Sequence, residues 1–310
     1  MLMPRLPLST ALLLAAAAVA QDAPPTAAPT APDDLVALAT RVDASHHPKG
    51  KVEPITAFRG SLELQLVAAT AEQGGQIDLA IQFLRWQRPG SARVRDLITY
   101  EVAQAGEPIL RGRDRNGFWH LFGGEARDLN GADFANDLAA AERDTSLARQ
   151  LLQFLDPAAV LLRLEKPEAV RDGELQLGRE PKVACKVVAG TLPSFPLLQQ
   201  AGEDAAVRIE VYVTAAQGQL LALSLWPLVE GRPEPTRGEL VRLRDLHERD
   251  GVLVPRRVEH YFSNDQGKPT LQSRATVTDL QLRPTLAAED FDRKTAIEKA
   301  KRDAQQRRLK

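Results

Sequence analysis

The stretch QFLRWQRPGSARVRD, residues 82–96, gathers the side chains of this sequence that are best suited to binding chemistry. Four arginines and two aromatic residues surround a Pro-Gly turn signal: Arg85, Arg88, Arg93 and Arg95, with Phe83 and Trp86. Guanidinium groups bind phosphates and carboxylates, and aromatic rings can stack on nucleic-acid bases. A formal net charge of −1, however, is not typical of nucleic-acid binders. Two interpretations are left: an anion site at a cavity rim, or a β-hairpin whose Arg85, Arg93 and Arg95 face solvent.

The other residues with chemical potential favour a protein that is not an enzyme. The sequence has no nucleophile elbow, HExxH, CxxC, P-loop or GxGxxG motif, so we expect no cofactor. Adjacent His46 and His47 should point in different directions, and we interpret them as an exposed helix end; a metal site would need a distant third ligand. Cys185 is the single cysteine, which excludes an intrachain disulfide, and its strand-like surroundings predict a buried structural thiol.

The N-terminus predicts export. One arginine, an apolar run and an Ala18-Val19-Ala20 cleavage signal make residues 1–20 a predicted signal peptide. Residues 21–32 form a Pro/Ala/Thr-rich tract that we interpret as a flexible leader. No cysteine stands at the cleavage site for a lipid anchor, and no second apolar run is long enough to span a bilayer. We therefore expect a periplasmic protein without a transmembrane segment after cleavage.

The hydrophobic pattern then predicts which elements position these residues. Residues 33–46 have helical spacing, and period-two alternation follows in 58–68, 76–86 and 91–102, separated by glycine-containing turn signals. A longer amphipathic helix is expected within 132–157. Strands return over 205–227, 238–262 and 271–282, and the last 18 residues, 293–310, form a basic, helical tail. We place a single domain at 33–292.

Strands with one apolar face must bury that face, either by closing into a barrel or by receiving helices. The sequence therefore predicts a mainly β fold with helices (α+β): a curved antiparallel sheet, or incomplete β-barrel, covered by its helices. Loose covering would leave an apolar ligand cavity. The candidate lining residues are those with alternating apolar side chains: Leu62, Leu64, Leu66, Ile77, Leu79, Ile81, Phe83, Val207, Ile209, Val211 and Val213.

The order of these elements resembles that of the LolA-type carriers of outer-membrane lipoproteins. The local similarity lies in LRWQRPGSARVRD, GFWHLF, VLVPRRVEHYF and AAEDFD, and the pattern extends over roughly 33–292. The resemblance implies a half-barrel with a helical lid over an apolar cavity that binds acyl chains. It also implies that Arg88, beside its proline, latches the lid by hydrogen-bonding helix carbonyls.

Two functions are consistent with this pattern. The first is a periplasmic carrier or binder of lipids, lipoproteins or other apolar ligands. The second is a cell-envelope interaction or sensor domain that uses the same fold without transport, with the leader and the basic tail contacting an envelope protein partner. Neither function involves nucleic acid.

Overall fold

The computed structural model describes residues 33–50, 53–67, 75–88, 90–91, 93–103, 109–122, 125–177, 180–198, 204–264 and 267–308. The predicted signal peptide and leader, residues 1–32, lie outside these ranges, and so does Pro89. The boundaries proposed for the signal peptide, the leader, the domain and the tail stay predictions.

Fourteen strands make up most of the described residues. They are β1 (Ala57–Leu66), β2 (Gly75–Gln87), β3 (Val94–Ala103), β4 (Ile109–Asp114), β5 (Gly117–Phe122), β6 (Glu125–Asp128), β7 (Arg171–Leu175), β8 (Val183–Pro196), β9 (Asp204–Thr214), β10 (Leu220–Val229), β11 (Arg232–Pro233), β12 (Glu239–Arg249), β13 (Val252–Ser263) and β14 (Pro269–Leu282).

The strands form one open antiparallel sheet in the order β6-β5-β4-β3-β2-β1-β14-β13-β12-β10-β9-β8-β7, with the short β11 paired to β10. The chain thus builds one half of the sheet from β1 to β6 and the other from β7 to β13. Strand β14 then returns to pair with β1 and joins the two halves. The predicted curved antiparallel sheet with helices is confirmed, and the sheet stays open at β6 and β7 instead of closing into a barrel.

Alternation decides which side chains are buried. In β9, Val207, Ile209, Val211 and Val213 are 0–1% exposed, whereas the residues between them are half-buried. Turn chemistry sets the register of neighbouring strands. Asp250 and Gly251 join β12 to β13 with φ angles of 50° and 80°, the left-handed conformation that a two-residue hairpin turn requires.

Within the described ranges, four α-helices accompany the sheet: α1 (Asp33–His46), α2 (Ala135–Leu155), α3 (Pro157–Leu162) and α4 (Arg293–Arg308). The side chain of Asp156 accepts a hydrogen bond from the Ala159 amide at 3.1 Å, which caps α3 and separates it from α2. Among the helices in the described part of the chain, none has both the length and the apolarity needed to cross a membrane.

The main core lies between α1, α2, α3 and one face of the sheet, which we call the inner face. Phe58, Phe83 and Ile98 on the strands and Phe154 and Leu161 on the helices belong to this single cluster. A small cluster occupies the other face, which we call the outer face; it consists of Leu175, Cys185, Val187 and Ala222. The prediction of a buried Cys185 is confirmed, since its side chain is 1% exposed.

The outer face of β3–β5 is covered by the C-terminal part of the chain. Leu97 and Trp119 are buried there, as are Phe291 and Ala296 of the segment that leads into α4. Arg293 forms ion pairs with Asp114, at 3.2 Å, and with Asp128. The first turn of the basic tail is therefore anchored to the sheet.

Gly112 of β4 and Trp119 of β5 are register partners, and the indole ring occupies the space above the glycine. A Cβ atom at position 112 would stand 2.4 Å from Trp119 Cζ2. We therefore expect Gly112→Ala to lower the free energy of unfolding by about 1–3 kcal/mol, as overpacking does. Urea unfolding measures the change.

The matched control is Gly75→Ala at the start of β2, where no atom lies within 4 Å of the added methyl group. Its stability should equal that of the wild type or exceed it slightly. An equal loss in both variants would contradict the packing argument.

Candidate functional site

The predicted cavity residues lie on the inner face in two groups, on β1–β2 and on β9, and residues of the strands between them join both groups into one apolar layer. Nine of the eleven are 0–3% exposed and belong to the main core: Leu62, Leu64, Leu79, Ile81, Phe83, Val207, Ile209, Val211 and Val213. The other two, Leu66 and Ile77, are partly buried against the same core. The structure brings all eleven together under the helices, and their role in binding a ligand stays a prediction.

Helix α2 is fastened over this layer by Arg149. Its Nε atom lies 2.8 Å from Asp96 Oδ2 in β3, and its Nη2 atom lies 2.6 Å from Asp204 Oδ1 in β9. Six strands separate β3 from β9 in the sheet order. Seven strand spacings would put them ~34 Å apart in a flat sheet. One guanidinium contacts both carboxylates because the sheet curls around α2.

Arg85 belongs to the same charged group. Its Nε atom donates to Asp96 Oδ1 at 2.9 Å, and the Asp96 side chain is 8% exposed. The interpretation of Arg85 as a solvent-facing arginine is therefore wrong, because β2 and β3 pair so that Arg85 and Asp96 share the inner face. Arg93 and Arg95 are exposed as predicted.

Arg88 lies exposed just beyond the end of β2, and its carbonyl accepts a hydrogen bond from the Ser91 amide at 3.0 Å. In the described residues, the arginine that joins the C-terminal half of α2 to the sheet is Arg149. The latch role of Arg88 stays a prediction.

The C-terminal half of α2 is also held by a buried hydrogen-bond network around Gln150. The Gln150 Nε2 atom donates to the Pro196 carbonyl at 2.9 Å and to Glu239 Oε2 at 3.4 Å. Its Oε1 atom lies 3.0 Å from His260 Nε2, so that nitrogen must carry the proton. The His260 Nδ1 atom is then free to accept from the Ser273 hydroxyl, at 3.5 Å. Each polar group of this network has a partner.

Burial controls the protonation of two histidines. Full burial lowers the pKa of His260 from its ordinary 6.5 to about 3. The pKa of His46 falls to about 4, first because of burial and then because of neighbouring His47. Both imidazoles are thus neutral near pH 7, as their hydrogen bonds require.

The histidine pair is buried, so the prediction of an exposed helix end is wrong. His46 Nε2 accepts from the Leu220 amide at 2.9 Å, and His47 Nδ1 lies 2.7 Å from Asp43 Oδ1. The two rings have separate partners, as expected for adjacent residues. Within the described residues, no three His, Cys, Asp or Glu side chains are grouped so that they could hold a metal ion.

Together these elements define a class of protein: an open, strongly curved antiparallel sheet with helices fastened over an apolar inner face. No protein-family model matches the sequence, and no curated protein matches it. Solved structures similar to it include a DUF1329 family protein from Desulfovibrio piger ATCC 29098, at 11% identity and a TM-score of 0.49, over 84% of this chain and 96% of that one.

Two further similar structures carry the name that the sequence suggests. One is a LolA superfamily protein from Nitrosomonas europaea, at 13% identity and a TM-score of 0.37, over 83% of this chain and 97% of that one. The other is an outer membrane lipoprotein-sorting protein domain from Vibrio parahaemolyticus, at 12% identity and a TM-score of 0.42, over 84% and 97%. The predicted distant LolA-type resemblance is confirmed, and at these scores it supports no conclusion about function.

Removing the Arg149 guanidinium should destabilise the protein strongly. Arg149→Met leaves two carboxylates, Asp96 and Asp204, without that partner in a mostly buried place, where breaking such a pair costs about 3–5 kcal/mol. Urea unfolding of Arg149→Met measures this loss.

The matched control is Arg249→Met, which removes an exposed pair with Asp279 and should cost at most about 1 kcal/mol. Equal losses of unfolding free energy in the two variants would show that the Arg149 ion pairs stabilise the protein no more than an exposed ion pair does.

The buried histidines predict acid sensitivity of a definite sign. Between pH 6.5 and about 3 the unfolded chain protonates His260 and the folded chain does not. The stabilisation from neutral His260 is therefore complete above pH 6.5 and is lost as the pH falls, by up to ~1.4 kcal/mol per pH unit. His260→Gln should reduce the slope of stability against pH by about one proton. Urea unfolding at neutral and mildly acidic pH tests this, and an unchanged slope would contradict it.

Proposed function

We propose that this protein is a periplasmic carrier or binder of lipidated or other apolar ligands. The ligand's acyl chain would lie between the inner face of the sheet and α2. The observation that supports this most is the continuous apolar layer under a helix that separate polar contacts hold in place. The periplasmic location rests on the predicted signal peptide.

The balance of energies favours ligands with long chains. Opening the N-terminal half of α2 breaks its polar contacts with the sheet, such as Arg111–Asp137. Each methylene group that the ligand buries from water returns about 0.8 kcal/mol. A short chain therefore returns too little to offset the opening cost. Longer chains bind with a net gain, and binding needs no covalent chemistry.

Neutral monoacylglycerols of increasing chain length test the proposal. We expect negligible binding of the hexanoyl compound and clear binding of the tetradecanoyl compound, because only the longer chain outweighs the opening cost. Isothermal titration measures the affinities, and native mass spectrometry of the gently purified protein looks for lipid already bound. A protein that is always empty and binds no chain length would overturn the proposal.

Two arginine variants test separately how α2 is held over the apolar layer. Arg149→Met should shorten the retention of a bound tetradecanoyl ligand, because one of the contacts that hold α2 is gone. Arg88→Leu should also shorten retention if Arg88 latches the lid. Unchanged retention would show that Arg88 is an exposed charge at the rim without a latch role. Arg249→Met is the control for both variants and should release ligand at the wild-type rate.

A further inference from the structure

A second polar cluster lies under the N-terminal half of α2, away from the Gln150 network. Strands β3, β4 and β5 contribute Tyr100, Arg111 and His120, which are 1%, 5% and 8% exposed. In the strand register, Tyr100 lies opposite Arg111, and Arg111 lies opposite His120. The three side chains therefore share the inner face. Asp144 of α2, 1% exposed, completes the cluster.

Two side chains of this cluster, Arg111 and Asp144, form ion pairs with residues of α2. Arg111 Nη2 donates to Asp137 Oδ1 at 2.5 Å, which joins β4 to the first turns of α2. Arg143 donates to Asp144 Oδ1 from Nε, at 3.1 Å, and from Nη2, at 2.8 Å. The ring of His120 packs edge-on against Phe134, with 5.5 Å between the centroids.

Three buried polar atoms of the cluster have no hydrogen-bond partner in the described part of the chain. They are Tyr100 Oη, Arg111 Nε and Asp144 Oδ2. The Tyr100 hydroxyl lies close enough to Asp144 and Arg111 to interact with both, but its alignment with either is poor. Each such atom costs about 1–3 kcal/mol. The closed helix therefore covers groups that would bind a suitable partner with a gain.

The two halves of α2 differ in this respect. The polar groups of the Gln150 network in the C-terminal half are hydrogen-bonded. Arg149 Nε and Asp204 Oδ1 beside that network have ion-pair partners without hydrogen-bond geometry, whereas three atoms around Asp144 have no hydrogen-bond partner. A satisfied buried network holds its element in one position, whereas an unsatisfied one favours opening or a ligand. A polar group of a ligand can thus enter most easily beneath the N-terminal half of α2.

The cluster lies at the border of the apolar layer. Tyr100 is the register partner of Ile81, one of the predicted ligand-contacting residues, and both belong to the main core. A molecule with its acyl chain against Ile81 would bring its polar end to Tyr100 and Arg111. Arg113 of the same strand adds another guanidinium, which lies 5.2 Å from the centre of the Phe118 ring.

We infer that Tyr100 and Arg111, with Asp144, form a binding site for an anionic oxygen group, a phosphate or a carboxylate, on the ligand whose acyl chain the inner face holds. This inference rests on the proposed function and specifies its ligand class. The Arg111 Nε–H is a buried donor without an acceptor, the Tyr100 hydroxyl has only poorly aligned neighbours, and Arg111 carries positive charge. Burial raises the pKa of Asp144, whereas its ion pair with Arg143 offsets part of its negative charge beside the site.

Three probes with the same chain test the inference. They are tetradecanoyl lysophosphatidylglycerol, tetradecanoate and neutral monotetradecanoylglycerol. We expect wild-type protein to bind at least one anionic probe about tenfold or more tightly than the neutral one, as a charged hydrogen bond provides. A preference for one anion over the other tells a phosphate site from a carboxylate site.

Two variants assign the preference to the cluster. Tyr100→Phe and Arg111→Gln should reduce the affinity for the anionic probe about tenfold and leave the affinity for the neutral probe unchanged. The matched control is Arg242→Gln, which removes an arginine that is 7% exposed and paired with Glu180 on the outer face. It should keep the preference for the anion.

Tyr100→Phe gives a second readout that a purely structural role would not produce. Removing a hydroxyl without a partner should raise the Tm of the empty protein while it lowers the affinity for the anion. Equal binding of charged and neutral probes by the wild type, or a preference that survives both variants, overturns the headgroup site and leaves the carrier proposal standing. Binding of none of the probes overturns both.

Discussion

The contact on which the rest of the structure depends is the double ion pair of Arg149. A single guanidinium on α2 bridges Asp96 and Asp204, which belong to strands with six other strands between them in the sheet order. An open sheet has no covalent or hydrogen-bonded closure between its two edges, and strand twist alone does not define how far it curls. The bridge fixes that curvature, because both halves must approach the same helix. The enclosed inner face, and with it the apolar layer, follows from this constraint.

Polar fastening over an apolar layer would suit the proposed binding and release of acyl ligands. Apolar contacts between α2 and the sheet are non-directional, so an acyl chain can replace them at little cost. Ion pairs and hydrogen bonds are directional and return the helix to one position after release. The satisfied Gln150 network anchors one half of α2, and the unsatisfied atoms near Asp144 weaken the other half. The same helix would therefore supply both a fixed point and a part that the proposed ligand could displace.

The sequence predicts those features that depend on local pattern. Alternation in β9 identifies its buried face, and Asp250-Gly251 identifies a hairpin, because side-chain period and turn chemistry act over a few residues. The Arg149 bridge escapes prediction, since its partners lie 53 and 55 positions away and meet only when the sheet curls. The prediction that His46 is exposed fails for the same reason, because the Leu220 amide that donates to it is 174 residues distant. Arg85 shows that a charge near a turn is not necessarily on the solvent side.

For the proposed ligand, packing on the outer face determines which part of the structure would move on entry. Strands β3–β5 are covered on the inner side by α2 and on the outer side by the segment around Phe291 and the start of α4. Trp119 fills the space above Gly112 there, which stiffens this end of the sheet from behind. Bending the β3–β5 part of the sheet would disrupt its packing on both faces. Lifting α2 disrupts packing on the inner face alone. Entry of a ligand should therefore displace the N-terminal half of α2 and leave the sheet in place.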